Sequence, residues 1–523
     1  MVVSNTAESI NLDDLPYTHG ARYMREKECL PGTRESLIRE ICDALNNPSE
    51  AAPRICLLTG AAGSGKSAVA HSIAQLYDGQ KRLGSSYFFS RSDAAMRRPG
   101  NLFSTIARDF ADCDPQFKSA LCRVVKDDRS LRTSTSLLEQ VEKLIIEPSK
   151  YLDTIGPLVI VVDALDESGD RPGRQTLLHA FARIIENNFP ENLRFFVTAR
   201  PEDDILAALP DGMQITHTRI GDISESIVDE DIGRFIDYSL HQNTKLKSPG
   251  KKGREFLVRC SKGSFVWAHA ACKLLSADNN VTGLNVDKNL ELLQDNHDNL
   301  LDDLYRAILS QLFPSDDAQR RFQYVMAIVV SLEEPLSLAS LSALFKKSTD
   351  VHSIIKPMGS LLDGVTDEQQ AIRPLHPSFW EFLLTLHRSS TFYVDVQSQH
   401  LVFVGHALLV CMREMLRFNI CDLKDSRLRN TEVPGLKDQV TKAIPPHLAY
   451  SCQYWMVYMQ HADCSDELDN VTSFFKDFFP FWLEAISLLS LSCSESFDAA
   501  LKTCTILKEW AKVGLTTVVN VKC

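Results

Sequence analysis

The chain lacks an apolar run long enough to cross a bilayer. Its longest, LVFVGHALLVCM and FFPFWLEAISLLSLSC, are interrupted by His406 and Glu484 and fall short of the roughly 20 residues a spanning helix needs. Positive charge is also scarce: 56 Lys and Arg stand against 68 Asp and Glu, a net charge of -12. A nucleic-acid binder needs a basic footprint to displace phosphate counterions, so this balance argues against that class of partner. No repeat period is visible. The fourteen cysteines form no close CxxC pair and have no histidine at zinc spacing; scattered as Cys29, Cys42, Cys56, Cys113, Cys122 and onward, they read as buried thiols in a reducing compartment. The opening VVSNTAESINLDDL has neither the positive start nor the apolar core of a signal peptide. The expectation is a cytoplasmic protein with no stable membrane insertion.

What is present is the composition of a folded protein, 44% hydrophobic and 24% charged. Single cores stop growing near about 250–300 residues, so 523 residues imply roughly two to four domains. From Cys29 to about Ile220 apolar strands alternate with amphipathic helices, the pattern of a parallel sheet with crossover helices on both faces. The candidate strands are RICLLT, SSYFFS, PLVIVVDAL, LRFFVTAR and MQITHTRI. After Gly221 helical patterns take over, in SESIVDEDIGRFIDYSL and GREFLVRCSKGSFVWAHAACKLL, and the polar stretch SADNNVTGLNVDKN marks a boundary. Between Leu301 and Leu386 four helical segments (LDDLYRAILSQLF, QRRFQYVMAIVVSLE, PLSLASLSALF opened by Pro335 and Ser337, and SIIKPMGSLL) precede a hairpin-like DGVTDEQQAIRPLH and a helix PSFWEFLLTLH. That order outlines a winged helix. The rest reads as helices, in HLVFVGHALLVCMREMLRFNI, IPPHLAYSCQYWMVYMQ, VTSFFKDFFPFWLEAISLLSLS and SFDAALKTCTILKEWAKV, with GLTTVVNVKC as an unpartnered ending. The expected domains are a short extension 1–28, a nucleotide-binding domain 29–220, a helical domain 221–295, a winged-helix domain 296–390 and a helical region 391–523.

Chemistry concentrates in LLTGAAGSGKSAVA. Gly60, Gly65, Lys66 and Ser67 satisfy G-x-x-x-x-G-K-[ST], with Gly63, Ser64 and Ala68 completing the loop. Glycines let backbone N–H groups turn onto phosphate oxygens, the lysine neutralises the terminal phosphates, and the serine hydroxyl coordinates Mg²⁺. An apolar strand precedes the loop, and SAVAHSIAQLY follows as a helix with Val69, Ile73 and Leu76 expected on one face. About a hundred residues on, LVIVVDALDES delivers Asp163 to the end of a buried strand, the edge where open α/β sheets bind ligands. Asp163 would hold the Mg²⁺ through water, while Asp166 and Glu167 stand where a water could be polarised. A third strand, LRFFVTARPE, ends in Thr198 and Arg200, and that arginine could reach a γ-phosphate.

CLPGTRESLIREI, ICLLTGAAGSGKSAVAHSIA, LVIVVDALDES, FFVTARPE and IRPLHPSFWEFL together resemble the NACHT branch of the STAND signal-transduction NTPases, in the form found in many copies in mushroom-type fungi. The resemblance runs from about Cys29 to Leu491. It implies that Gly32, Thr33 and Arg34 pack beside the base and ribose, that Arg200 is the strand-end sensor, and that His376 of PLHPSF is the winged-helix histidine that reaches the diphosphate and locks the resting state. It further implies a switch that binds ADP or GDP at rest and ATP or GTP with Mg²⁺ when open. Such a switch self-associates on activation and serves fungal non-self recognition or cell death. One departure stands out: KGSFVWAH, with Ser264 and Phe265 after Gly263, replaces the family's glycine-proline turn against the base.

Fuel and switch can share one phosphate loop, so the surroundings decide. The downstream residues look like clamping modules rather than a substrate site and lid, which favours a slow, Mg-dependent NTP hydrolase acting as a ligand-biased switch. A scaffold that binds without turnover and a P-loop phosphotransferase are the alternatives; Asp163 with Glu167 counts against the first, and the lack of an identifiable substrate pocket against the second. SLASLSALFKK has only a small basic end, so its winged-helix shape does not imply DNA binding. Family members carry an effector domain before the NTPase and a repeat sensor after it. About 28 residues before Cys29 leave two expectations, a reduced member that works with a separate effector or sensor protein, or a shortened chain, which GLTTVVNVKC favours.

Overall fold

The five apolar runs between Ile55 and Arg219 each become a strand of one parallel sheet: β1 (Ile55–Thr59), β2 (Leu83–Phe88), β3 (Leu158–Asp163), β4 (Leu193–Ala199) and β5 (Ile215–Arg219). The computed structural model describes residue 12 and residues 15–489, apart from 50–51, 92, 133, 153–155, 187–192, 213, 242–249, 277–299, 346–349, 426–427, 460, 462–470 and 472. The stretch SADNNVTGLNVDKN beyond Ser276, the helix SFDAALKTCTILKEWAKV, the ending GLTTVVNVKC and the first eleven residues of the extension therefore lie outside the described residues. The chain divides into two units, Met1–Leu304 and Tyr305–Cys523.

In the first unit the strand order is β2-β3-β4-β1-β5. Every residue of β1 to β4 is buried, as strands covered on both faces are, whereas the edge strand β5 is largely half-exposed. The strand that feeds the glycine loop is not beside the strand that ends in Asp163, because β4 pairs with both. Thr59 is in register with Ala199, and Val162 with Val197. The loop, the acids and the Thr198–Arg200 turn thus leave the sheet at one edge.

Packing explains the local sequence. Helix α1 (Glu35–Leu45) buries Leu37, Ile41 and Leu45, an i, i+4, i+8 stripe. Helix α2 (Lys66–Gly79) buries Val69, Ala70, Ile73, Ala74 and Tyr77. Val69 and Ile73 are buried as expected, but Leu76 is 41% exposed and Tyr77 takes the third core position. Helix α3 (Leu102–Cys113) packs on β2 and α4 (Pro115–Asp127) packs on α3, Phe117 meeting Phe110 edge-on; Asp114 caps α4 by accepting the amides of Gln116 and Phe117, with Pro115 at the first helical position. A Cβ on Gly84 would lie 1.9 Å from the Phe110 ring, so glycine is what lets α3 approach β2. Phe181 of α5 (Arg171–Glu186) meets Phe103 and Phe195 edge-on, each buried ring stabilising by about 1.5–3 kcal/mol.

The helical part of this unit comprises α6 (Glu225–His241), α7 (Gly250–Ser261) and α8 (Phe265–Ser276). The expected continuous pattern GREFLVRCSKGSFVWAHAACKLL breaks between α7 and α8. Lys262 and Gly263 adopt left-handed φ of 43° and 80°, and Ser264 restarts the helix by accepting the Trp267 amide at 3.2 Å. The segment before Cys29 is docked: Phe88 donates its amide to Ala21 at 2.8 Å, and the Met24 amide donates to His71 Nδ1 at 3.1 Å.

The second unit begins inside α9 (Leu300–Leu312) and continues with α10 (Asp316–Val330), α11 (Leu338–Phe345), α12 (Val351–Ile355), a short antiparallel pair β6 (Leu362–Asp363) and β7 (Arg373–Pro374), and α13 (Ser378–Leu383). Ser337 caps α11 through the Ser340 amide, and Ser337 also bridges Ala371; Pro335 lies ahead of the helix. SIIKPMGSLL is helical only to Ile355 before tightening into a 3-10 turn at Lys356–Met358, because Pro357 has no amide to donate. Among the described residues, α14 (Ser398–Met415), α15 (Leu436–Ala443), α16 (Pro446–Met459) and α17 (Phe479–Leu488) follow. The expected helix through RFNI therefore stops at Met415. The one through FFKDFFPFW restarts at Phe479, with Pro480 in its first turn. Gly405 lets α14 and α16 close up, since a Cβ there would lie 2.8 Å from Met459 Sδ.

Candidate functional site

The glycine loop joins β1 to α2 with Gly63 and Gly65 in left-handed conformation, at φ 77° and 95°. Helix α2 has Gly65 as its N-cap and no side-chain cap, so the first-turn amides, Lys66, Ser67 and Ala68, remain for an anion. Lys66 is buried and folds back on its own loop, donating from Nζ to the carbonyls of Gly60 (2.8 Å) and Ala61 (2.9 Å). Burial lowers its pKa, opposed by the charges of Asp166 and Asp163. A Cβ on Gly60 would sit 2.7 Å from Ser64 Oγ, which fixes glycine at the loop's entrance.

Asp163 ends β3, fully buried. Its carboxylate accepts the Thr198 hydroxyl from β4 and a hydrogen bond from Ser67. Burial raises its pKa, and those two bonds with the Lys66 charge counter the rise. Ser67 itself is exposed. A hydroxyl and a carboxylate one hydrogen bond apart form a donor pair suited to Mg²⁺, which binds few protein oxygens and keeps water and phosphate as its other ligands. Among the described residues no group of three or more His, Cys, Asp or Glu could hold a metal.

The chain then turns through Ala164, at φ 56°, into a single 3-10 turn, Leu165–Glu167. The Ala164 amide is satisfied by Thr198 Oγ1 at 3.0 Å. Asp166 and Glu167 are both buried but differ in surroundings. Asp166 Oδ1 accepts the Arg200 amide at 2.9 Å, and its Oδ2 lies 3.2 Å from Arg200 Nε. Arg200, the expected γ-phosphate sensor, is thus engaged by this acid. Glu167 accepts the Arg91 amide at 3.0 Å, and burial pushes its pKa up to about 7.

Two arginines that the sequence reading missed hold this turn from outside. Arg91, three residues beyond β2, donates from Nη2 to the Asp166 carbonyl at 3.2 Å, and Arg174 of α5 donates from Nη1 to the same carbonyl at 3.0 Å. Arg174 also pairs with Glu202 (2.6 Å) and Asp204 (2.9 Å) beyond β4. The only signal in the sequence was position: Arg91 follows a strand end, as Arg200 does.

Arg34 sits under the glycine loop with its side chain 3% exposed. It donates from Nη2 to the Ser64 carbonyl at 3.0 Å, its amide donates to Asp231 of α6 at 3.1 Å, and its guanidinium lies 5.0 Å from the Phe265 ring centroid. Nε and Nη1 are buried without hydrogen-bond partners. Gly32 gives its carbonyl to Arg234 at 2.6 Å, and Thr33 Oγ1 donates to Leu30. The Phe265 amide donates to the Gly63 carbonyl at 3.0 Å. Ser264 and Phe265 therefore pack on the phosphate loop itself, where the family's glycine-proline turn was expected to meet a base.

The loop, Asp163, Asp166, Glu167, Arg200 and Arg34 are thus gathered in the first unit. His376 belongs to the second, at the start of α13, where its Nδ1 accepts the Ser378 amide at 3.1 Å. The described cysteines are free thiols; Cys56, Cys272, Cys411, Cys421 and Cys452 are buried, but Cys113 is exposed. No described helix is long and apolar enough to cross a membrane.

The family described as nephrocystin 3, N-terminal, matches residues 32–200, from Gly32 to Arg200. No curated protein matches. Similar solved structures include a signal-transduction ATPase with numerous domains (STAND) carrying a tetratricopeptide-repeat sensor, from Pyrococcus horikoshii, at 11% identity, covering 98% of this chain and 67% of that one with a TM-score of 0.38. Domain III of the replication initiation protein DnaA from Thermotoga maritima is 14% identical over 54% of this chain and 98% of its own, with a TM-score of 0.30. PCH-2 of C. elegans is 12% identical over 54% of this chain and 71% of its own, with a TM-score of 0.26. Such values bear on neither ligand nor partner. The chain is an α/β P-loop domain followed by helical domains.

Proposed function

We propose that this chain is a nucleoside-triphosphate-binding signalling switch of the STAND type that hydrolyses ATP or GTP slowly. One observation carries the reading: the uncapped start of α2, Lys66 and the Ser67–Asp163 pair converge at one sheet edge, which supplies anion, charge and metal ligands together. Lys66 would exchange its two loop carbonyls for phosphate oxygens. Ser67 and Asp163 would hold Mg²⁺, which lends charge to the phosphates.

Of the two acids, Glu167 suits the base better. Asp166 is committed to Arg200, whereas Glu167, with its pKa near 7, is poised to titrate at working pH. In the proposed step a water oxygen bonds to the γ-phosphorus, its proton passes to the Glu167 carboxylate, and the diphosphate leaves with the electrons of the broken P–O bond. Arg200 would leave Asp166 for the γ-phosphate.

The wider reading follows the NACHT resemblance. Residues 29–220 bind the nucleotide, 221–295 and a winged helix at 296–390 clamp it, and His376 locks a closed diphosphate state. Exchange opens the chain to a self-associating state in the cytoplasm that engages a separate effector or sensor, in fungal non-self recognition or cell death. The deciding experiment extracts nucleotide from the purified chain, identifies it by chromatography, and measures oligomeric state before and after exchange with a non-hydrolysable triphosphate. A bound diphosphate and larger assemblies after exchange are expected; a nucleotide-free chain that takes up neither form overturns the reading. For the lock, His376→Ala is expected to speed diphosphate release, and an unchanged rate removes His376 from the site.

A further inference from the structure

The turn that carries the two acids closes its own backbone, with the Glu167 amide on the Ala164 carbonyl at 2.8 Å and the Ser168 amide on the Leu165 carbonyl at 3.2 Å, but these bonds do not reach its carboxylates. It is a single 3-10 turn entered through a left-handed alanine, and a 3-10 turn of three residues has few internal hydrogen bonds with which to fix its side chains. Its polar groups are therefore fixed from neighbouring strands. Just beyond β2 the Phe89 amide donates to the Asp163 carbonyl at 3.1 Å, and two residues later the Arg91 amide donates to Glu167 Oε2.

The two guanidiniums on the Asp166 carbonyl are not equivalent. Arg174 is 10% exposed, and its remaining donors close on Glu202 and Asp204 at 2.6 and 2.9 Å. Arg91 is 39% exposed, and its Nη2 stands 3.6 Å from Asp166 Oδ2 and 3.7 Å from Glu202 Oε1, beyond ordinary hydrogen-bond length to either. Arg174 is a fixed brace; Arg91 is a cation shared between two carboxylates on β3 and β4 turns, with room to favour one.

We infer that Arg91 is a positioning residue for hydrolysis, holding the Asp166–Glu167 turn so that the Glu167 carboxylate faces the attacking water, and using Glu202 as its alternative counterion when Arg200 leaves Asp166. This rests on the reading of Glu167 as the base. The Arg91 amide that bonds Glu167 survives any substitution, so the side chain acts through the Asp166 carbonyl, and its loss lowers turnover without loosening the phosphate loop, whose own contacts come from Arg34 and Phe265.

The test uses the full chain as Arg91→Ala and Arg91→Lys, alone and with Glu167→Gln. Arg91→Ala is expected to lower kcat by roughly ten- to a hundredfold, the cost of a misplaced catalytic group. KM and diphosphate affinity should stay within about threefold, because a transition-state interaction was lost rather than uniform binding. Arg91→Lys should recover part of the rate, and in the Glu167→Gln background Arg91→Ala should cost nothing further. Equal loss in kcat and affinity, no recovery by lysine, or full additivity with Glu167→Gln overturns the proposal. Hydrogen exchange of the nucleotide-free chain decides it independently of turnover: Arg91→Ala should speed exchange across residues 164–168 and leave 60–70 unchanged. Unaltered exchange at 164–168 overturns the positioning role, whereas a wild-type chain that binds nucleotide but never hydrolyses it overturns the reading of Glu167 instead.

Discussion

The loop after β1 and the turn after β3 leave the same sheet edge and solve opposite problems. Both need left-handed backbone, at Gly63 and Gly65 in one and at Ala164 in the other. The loop uses glycine and keeps its helix-start amides uncapped, with Lys66 parked on carbonyls it can release. The turn uses a residue with a side chain and has its groups tied down: Asp163 to Thr198, Asp166 to Arg200, Glu167 to Arg91, the Asp166 carbonyl to two arginines. A ligand-binding loop stores unsatisfied donors for its ligand, whereas an acid-bearing turn needs its carboxylates fixed before the ligand arrives.

The comparison breaks most sharply at Lys66. Lys66→Ala removes the loop's own cation and leaves the amides, so triphosphate affinity should fall roughly a hundredfold or more, the worth of charge-assisted bonds to two phosphates. Equilibrium binding with a fluorescent nucleotide reads this, and unchanged affinity would mean that the loop binds no phosphate. Glu167→Gln tests the other side. Nucleotide should be retained while turnover drops by about a hundredfold, the usual share of a general base. Stability carries a second signature. The folded state holds the Glu167 proton up to about pH 7 and the unfolded chain releases it near the ordinary glutamate value, so folding stability from this group is present below the unfolded pKa and is lost as pH rises through about 7. Glu167→Gln removes that slope and should be the more stable protein at pH 8, by up to about 3 kcal/mol, in urea melts across pH.

Asp231→Ala sharpens the comparison from beneath the loop. It leaves the Arg34 guanidinium buried without its carboxylate and the Arg34 amide without an acceptor, which should cost about 3 kcal/mol. If the loop depends on that support, nucleotide affinity falls with it; a stable variant with unchanged affinity would show the loop to be self-sufficient.

How much of this was readable in the chain follows from what is local. Five apolar runs announced five strands, and Gly60–Ser67 and Asp163 announced themselves, because their chemistry is written in consecutive letters. Arg91, Arg174, Glu202 and Asp231 did not, since each acts across tens or hundreds of residues and looks like an ordinary surface charge until the sheet order brings it in. The third core position of α2 went to Tyr77 rather than Leu76 because the chain offers both Leu76 and the aromatic Tyr77, and the core beneath β2 and β3 took the ring. The break at Lys262 was hidden for a related reason: only the glycine beside it hints that a lysine turns left-handed there.

Ala164 is the smallest and most direct probe of the contrast. A non-glycine residue in the left-handed region costs roughly 1–2 kcal/mol, and glycine in its place gives back part of that by enlarging the entropy of the unfolded chain, about 0.5–1 kcal/mol. Ala164→Gly should therefore stabilise the fold by up to about 1 kcal/mol while slackening the turn, so that Tm rises slightly and turnover falls. Gly65→Ala is its mirror. The nearest atom to an added Cβ is 3.8 Å away, so crowding is not the penalty; the cost is the φ of 95°, and stability should drop by at least about 1 kcal/mol. Opposite signs for the two substitutions in paired thermal melts would establish that strain is kept in the acid-bearing turn and avoided in the phosphate loop; the same sign for both would mean that the two bends are mechanically alike.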